Sequence, residues 1–324
     1  PMNPAFQCTR ADMNFWLSLP RPVIGLSPMD CVTDACFRSV IAQQGKPDIS
    51  FTEFTHVHDV CHGPEIHLET LLFSERERPI VAQLYGKDPE LFYLAAQVVC
   101  ELGFDGLDIN MGCPSKSVAS SGSGAGLIRT PQLARTIMQA AKRGIDDWAS
   151  GQTLEQAGFK PARIAMFERL NQQRGKAGPI QRLQLPLSVK TRLGYDSVMV
   201  DEWVEELLKE QPAVISLHGR TLQQMYRGTA DWSAIGRAAA LVQGTGTLLL
   251  GNGDIQSLDD IAVRVRETGV DGVLVGRGVL GAPWFFRAKE RARIGVGGVR
   301  DPEVGSDVCA RPLHERFAVL VEHA

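Results

Sequence analysis

Gly106-Leu107-Asp108-Ile109-Asn110-Met111-Gly112-Cys113-Pro114 is a short, mostly apolar run that breaks into a turn between a glycine and a proline. Apolar runs of this length bounded by turn formers read as buried strands. Cys113 therefore stands just past a strand end in a rigid turn, placed for chemistry; the plain alternative is an inert buried thiol. Further runs rich in Val, Ile and Leu bring the expected strands to eight, at 22–26, 48–54, 79–84, 106–110, 185–191, 213–218, 247–250 and 272–275. Amphipathic segments separate them, such as 88–102, which opens at Asp88-Pro89 and stops at Gly103, and 201–210, with Trp203, Leu207 and Leu208 on one face. Apolar strands alternating with helices imply a parallel sheet covered by helices. A count of eight selects an α/β fold of the closed (β/α)8 TIM-barrel kind over an open doubly wound sheet. The pattern is weakest at 48–54.

The 324 residues, 44% of them hydrophobic, suffice for one large barrel and a little more. A formal charge of -3 argues against a protein that coats nucleic acid nonspecifically, because that needs massed Lys and Arg. Any RNA contact must be a local patch. Seven cysteines without a Cys-x-x-Cys pair fit reduced thiols, and no stretch approaches a spanning helix, so a cytoplasmic protein that contacts no membrane is expected, as a monomer.

The barrel is expected over 1–294, with an insertion at about 144–184. About forty residues separate a helix ending near Arg143 from the fifth strand, where a few suffice. Between 160 and 182 this insertion carries Lys160, Arg163, Arg169, Arg174, Lys176 and Arg182 against the single acid Glu168. It offers either a basic surface for RNA or a solvated helical excursion. Residues 295–324 read as a Gly-rich linker and one amphipathic helix.

Polar residues gather after the strands, where barrel enzymes build their sites. Asn252, Gly253 and Asp254 follow the seventh strand, and Gly276 and Arg277 follow the eighth. Glycines there let backbone amides approach an anion, and these two loops are the usual phosphate site of the fold. Alternation along strands turns Arg192 to the side of Lys190 and Arg220 to that of His218, toward the mouth, where an Arg clamps RNA phosphate or simply pairs with a surface acid. Lys190 reads as an anion-holding ammonium, a buried ion-pair member or a Schiff-base lysine.

The turn at Cys113 resembles the Asn-x-Gly-Cys-Pro turn of the flavin-dependent tRNA-dihydrouridine synthases. Ser27-Pro28-Met29, Gln83-Leu84-Tyr85-Gly86, Lys190-Thr191-Arg192-Leu193-Gly194, His218-Gly219-Arg220-Thr221, Asn252-Gly253-Asp254-Ile255 and Gly276-Arg277-Gly278 follow the same family's order over most of the chain. The resemblance implies FMN, NADPH as electron donor and tRNA or another structured RNA as substrate. The implied reaction reduces the C5–C6 bond of a uridine, with hydride to C6 and a proton from Cys113 to C5. It also implies a flavin cradle of Ser27, Pro28, Met29 and Gln83, Lys190 at the N1/O2 edge of the flavin, and His218 on the flavin or its ribityl phosphate. Asn110 would bond the uracil edge or the flavin. That family continues into a helical RNA-binding domain, of which 295–324 would hold only the first helix. Rival readings are an FMN barrel reducing a small molecule, of the dihydroorotate or ene type, and an RNA-binding barrel without turnover.

Two further patterns carry less. Gly122-Ser123-Gly124-Ala125-Gly126 imitates a dinucleotide fingerprint, but Leu127 replaces its last glycine and no strand precedes it, so it reads as a flexible active-site loop. His56, His58, Cys61, His62 and His67 crowd one loop, yet match no standard zinc spacing, and no metal is expected.

Overall fold

The strands β1 (Val23–Leu26), β2 (Ser50–His56), β3 (Ile80–Tyr85), β4 (Gly106–Met111), β5 (Leu187–Arg192), β6 (Val214–His218), β7 (Leu248–Asn252) and β8 (Gly272–Val275) follow the apolar runs closely. This is a computed structural model that describes residues 14–175 and 180–296. Every pairing is parallel, in the order β1-β8-β7-β6-β5-β4-β3-β2. Backbone bonds from Leu26 N to Ile49 O (3.0 Å) and from Asp48 N to Ile24 O (2.9 Å) stitch β1 to the chain entering β2 and close the barrel. The register between β2 and β3 shifts between Phe51 and Phe54, which accounts for the blurred pattern of that strand.

Among the described residues ten α-helices accompany the strands: α1 (Ala35–Gly45), α2 (Val57–His62), α3 (Pro89–Glu101), α4 (Lys116–Ser120), α5 (Pro131–Ala149), α6 (Pro161–Gln173), α7 (Val200–Leu208), α8 (Trp232–Val242), α9 (Leu258–Thr268) and α10 (Lys289–Val296). Helix α3 starts where expected: the Asp88 carboxylate accepts from the amides of Glu90 and Leu91, and Gly103 adopts φ +71° past its end.

Strand alternation divides the apolar side chains into two cores. Val23, Phe51, Val81, Val214, Leu250 and Leu274 meet inside the barrel with Trp16, which plugs the amino-terminal end of the strands. Their neighbours Ile24, Ala82, Leu107, Val189, Ile215, Leu249 and Val273 pack outward against the helices. Above the inner core the inward positions turn polar. Gln83, Asp108 and Ser188 stand in register, and Asn110, Lys190 and Ser216 form the next register row. The barrel is thus dry at its floor and polar toward its carboxyl mouth.

The insertion consists of the end of α5, the helix α6 and connecting turns. Helix α5 runs past Arg143 to Ala149 because Ile145 and Trp148 continue its buried face, and Gly144 fits where α5 crosses Tyr93 of α3. Most of the segment's described arginines turn inward. Arg163 donates to the carbonyls of Asp59, Val60 and Gly63, at the end of α2. Arg174 donates to Leu102 O at the end of α3 and lies on the Phe73 ring, and Arg182 donates to Trp148 O and Gln152 O at the end of α5. Arg169 pairs with Glu65 on the surface (2.7 Å), and Lys160 caps the start of α6. Lys176, Cys8, Cys309 and the expected linker and helix beyond 296 lie outside the described residues.

Candidate active site

At the carboxyl mouth a cavity of about 390 Å³ brings together Ser27, Pro28, Met29, Gln83, Asn110, Cys113, Lys190, Arg192, His218, Asn252, Gly253, Asp254, Gly276 and Arg277. That is nearly the whole set expected from sequence, within the size range of small-ligand sites. The remaining member, Arg220, sits one layer behind.

Cys113 is fixed by its neighbours. The Asn110 side-chain oxygen accepts from the amides of Gly112 (3.1 Å) and Cys113 (2.8 Å), so the asparagine closes the turn that follows β4. Its Nδ2 donates to Gln83 Oε1 (2.9 Å) and Gln83 Nε2 to Asp108 Oδ2 (2.7 Å), which places Asn110 and Gln83 in one buried chain. Gly124-Ala125-Gly126 packs beneath: Ala125 N donates to Cys113 O (3.3 Å), and residues 124–128 are buried. The glycine-rich stretch expected to be a flexible loop is thus a packed 3-10 support for the cysteine turn, because Ala125, Leu127 and Ile128 join the core. Burial, reinforced by Asp30, pushes the Cys113 thiol above its ordinary range, against the opposing pull of the Ser115 amide, Arg192 and Lys190. The side chain is a protonated thiol at neutral pH and carries a proton it can give up.

The facing wall is cationic. The Lys190 ammonium has no hydrogen-bond or ion-pair partner among the described residues, and burial, then Arg192, bring its pKa down to about 8 against Asp108 and Cys113. Burial, followed by Arg192, Lys190, Arg220 and Arg277, holds His218 well below the usual range, so its imidazole is neutral. The amides of Gly253, Asp254, Gly276 and Arg277 donate to no acceptor among the described residues. The Arg277 guanidinium is half exposed, 3.5 Å from Asp254 Oδ1. A Cβ on Gly276 would stand beside Met29 and Ser27 without overlap and fill the cradle itself. Free amides and an arginine suit a phosphate monoester, and a free ammonium farther along the wall suits the electron-rich edge of a planar ring.

Arg192 and Arg220 take internal partners in place of the outward position expected of an RNA clamp. Arg192, 4% exposed, donates to the carbonyls of Gly112 (2.7 Å), Thr221 (3.1 Å) and Met225 (3.1 Å). Arg220, 2% exposed, bonds Gly228 O and both Asp254 oxygens (3.0 and 2.8 Å), and Asp254 also accepts from Ala230 N (2.7 Å). The two guanidiniums thus tie the turn after β4 and the loops after β6 and β7 together. They shape the mouth. What sequence reading missed is Tyr226, 60% exposed at the rim with Arg277 over its ring (5.6 Å), and Phe54 and Asp30 in the lining. Nothing in the long loop after β6 singled Tyr226 out. At the rim, ligand atoms of His56, His58 and Asp59 come within 4.8 Å of one another, and His67 Nδ1 lies 3.2 Å from Asp59.

Fold and pocket define a TIM barrel whose mouth sets free backbone amides, an arginine and a lysine beside a protonated thiol. Solved barrels share the architecture: DHODH from Eimeria tenella in complex with ferulenol (TM-score 0.52, 13% identity, 89% of this chain and 85% of that one) and TcOYE with pHBA (0.51, 12%, 84% and 88%). The chain belongs to the dihydrouridine synthase family, whose model, Dihydrouridine synthase (Dus), matches residues 25–150 and 180–307. The unmatched 151–179 is the excursion bearing α6. Among its relatives are probable tRNA-dihydrouridine synthase 2 of Bacillus subtilis, 38% identical over 285 residues (86% of this chain, 75% of that protein), and a probable tRNA-dihydrouridine synthase of Staphylococcus aureus, 36% identical (86% and 74%). Among the described residues no helix is long and apolar enough to cross a membrane.

Proposed function

We propose that the protein is a tRNA-dihydrouridine synthase that reduces the C5–C6 bond of uridine in folded RNA. The observation that carries this reading is the Cys113 thiol, kept protonated and fixed by Asn110 over a cavity with an anion cradle and a Lys190 that has no partner among the described residues, in a chain of this family. FMN fits the donor set, with Gly253, Asp254, Gly276 and Arg277 on its phosphate, Lys190 at its pyrimidine edge and Ser27 to Met29 along one side. A bound FMN, recharged by NADPH, supplies the hydride that uracil C6 receives. The residues of this chain do the rest. Cys113 Sγ–H delivers a proton to C5, and Arg192, by holding Gly112 O, keeps that turn at a fixed height. Tyr226 offers a ring at the rim for a base turned out of its stack.

Two measurements test this. Denaturing the purified protein should release FMN, and FAD in its place would defeat the cofactor assignment. Cys113→Ala should leave reduction by NADPH intact while slowing reoxidation by RNA in single turnover by roughly two to four orders of magnitude, the scale of general acid catalysis. An unchanged reoxidation rate removes Cys113 from its role.

A further inference from the structure

Asp108 is completely buried inside the barrel, level with Gln83 and outside the cavity lining, and so does not meet a substrate. Its carboxylate is nevertheless the end point of a directed chain. One oxygen accepts from Ser188 Oγ (2.6 Å) and the other from Gln83 Nε2 (2.7 Å). Gln83 Oε1 then accepts from Asn110 Nδ2 (2.9 Å), and Asn110 Oδ1 accepts from the amides of Gly112 and Cys113. Gln83 is 0% and Asn110 6% exposed, so little water stands in for a lost partner.

A carboxamide has a donor end and an acceptor end and turns either way unless a neighbour decides. In this chain the deciding group is the Asp108 carboxyl: burial raises its pKa to about 6, against the hydrogen bonds from Ser188 and Gln83 and the charge of Lys190, so at neutral pH it is a carboxylate, which only accepts. It obliges Gln83 to present its NH2 downward and its oxygen upward, which obliges Asn110 to present its NH2 to Gln83 and its oxygen to the cysteine turn. Were both amides reversed, the Asn110 NH2 would face two backbone N–H groups, and the turn would lose both bonds that fix Cys113. We propose that Asp108 is a positioning residue for uridine reduction, setting through Gln83 and Asn110 the orientation of the turn that presents the Cys113 thiol. The inference deepens the assignment of Cys113 as proton donor and rests on it for its catalytic consequence.

The direction of the chain makes the test specific. Asn110→Asp leaves an acceptor for the two amides but faces Gln83 Oε1 with a second acceptor, which breaks the chain. Adding Asp108→Asn lets the whole chain reverse: the asparagine at 108 donates to Gln83 Oε1, and Gln83 Nε2 donates to the carboxylate at 110. Adding Asp108→Leu removes the same negative charge without supplying a donor. Alkylation of Cys113 by iodoacetamide, followed peptide by peptide in the flavin-loaded protein, should quicken about tenfold in Asn110→Asp, as expected for the loss of one buried hydrogen bond. Asp108→Asn should return that rate most of the way to the parent value, and Asp108→Leu should not. If both restore it, like-charge repulsion explains the effect; if neither does, Asp108 is filler. Either result overturns the proposal. Asp108→Val, at home in a strand, takes the place of the leucine if that chain does not fold. Single-turnover reoxidation by RNA, normalised to the reduction rate by NADPH, should follow the alkylation pattern. Alkylation that follows it while reoxidation does not would keep the positioning role and remove Cys113 as the donor.

Discussion

Lys190→Met should stabilise the flavin-free protein while weakening the flavin complex. The ammonium sits half-buried with no partner among the described residues, and burial and Arg192 lower its pKa from 10.5 to about 8. At about 1.4 kcal/mol for each pH unit, holding it charged costs the empty fold about 3 kcal/mol. Water reaching a half-buried side chain, and the attraction to Asp108 that the variant also loses, reduce the expected gain to about 1–3 kcal/mol. Methionine keeps the apolar stem and removes only the charge. The sign of the pH dependence follows from proton counting. Below about pH 8 folded and unfolded chains both hold the proton, and the full cost stands. Between about 8 and 10.5 the folded chain releases the proton while the unfolded chain keeps it, so the parent gains stability on the variant; above 10.5 the cost is gone. Urea denaturation of flavin-free parent and variant from neutral pH to about pH 10 reads the gap, and FMN titration should reverse the order, with affinity down about 10–100-fold for one lost charge-assisted bond. A variant less stable than the parent at neutral pH, or a gap that does not narrow as pH rises, would refute the reasoning.

Asp254→Ala should cost about 3 kcal/mol, because it strands the buried Arg220 guanidinium, and should lower FMN affinity in equilibrium titration as the loops after β6 and β7 part. Gly253→Ala places a Cβ 2.7 Å from Ala230 Cβ at φ +131°, so a loss of about 1–3 kcal/mol in thermal unfolding, with weaker flavin retention, is expected; parent-like values would show that the loop yields freely. Arg163→Met should cost about 2–4 kcal/mol by leaving the carbonyls of Val60 and Gly63 unmet, while Lys160→Ala, exposed, should stay within about 0.5 kcal/mol. Equal effects of those two substitutions in chemical denaturation would contradict the buried role of Arg163.

The eight strands were legible because their outward residues join one continuous core and their inward residues fill the barrel, so each run is apolar on both faces. The pocket was legible for a related reason: Gln83, Asn110, Lys190, His218 and Asn252 occupy the same inward phase near the top of their strands, and position along a strand is a sequence property. Three-dimensional partnership is not. Asp108 shares that phase with Asn110, but only the register with Gln83 and Ser188 shows it anchoring a chain of amides. Tyr226 reaches the rim from a loop whose path no periodicity encodes. Arg192 lines the mouth beside Lys190 while Arg220, beyond the end of β6, does not, and alternation says nothing about whether an arginine extends outward or folds back onto carbonyls.

The inward arginines of the α6 excursion also bear on what kind of change this protein tolerates. Each meets the carbonyl end of a different helix: Arg163 that of α2, Arg174 that of α3, Arg182 that of α5. They act as rivets, and what each supplies is geometry, several N–H groups fanned in one plane, with charge a secondary matter. Exchange of all three for lysine would leave every electrostatic tally of the chain untouched and still loosen the excursion from the barrel, since a single ammonium does not span the carbonyls that Arg163 gathers. A designer adjusting the isoelectric point of such a barrel should therefore leave these positions alone and work on Lys160 and the Arg169–Glu65 pair, whose side chains face water.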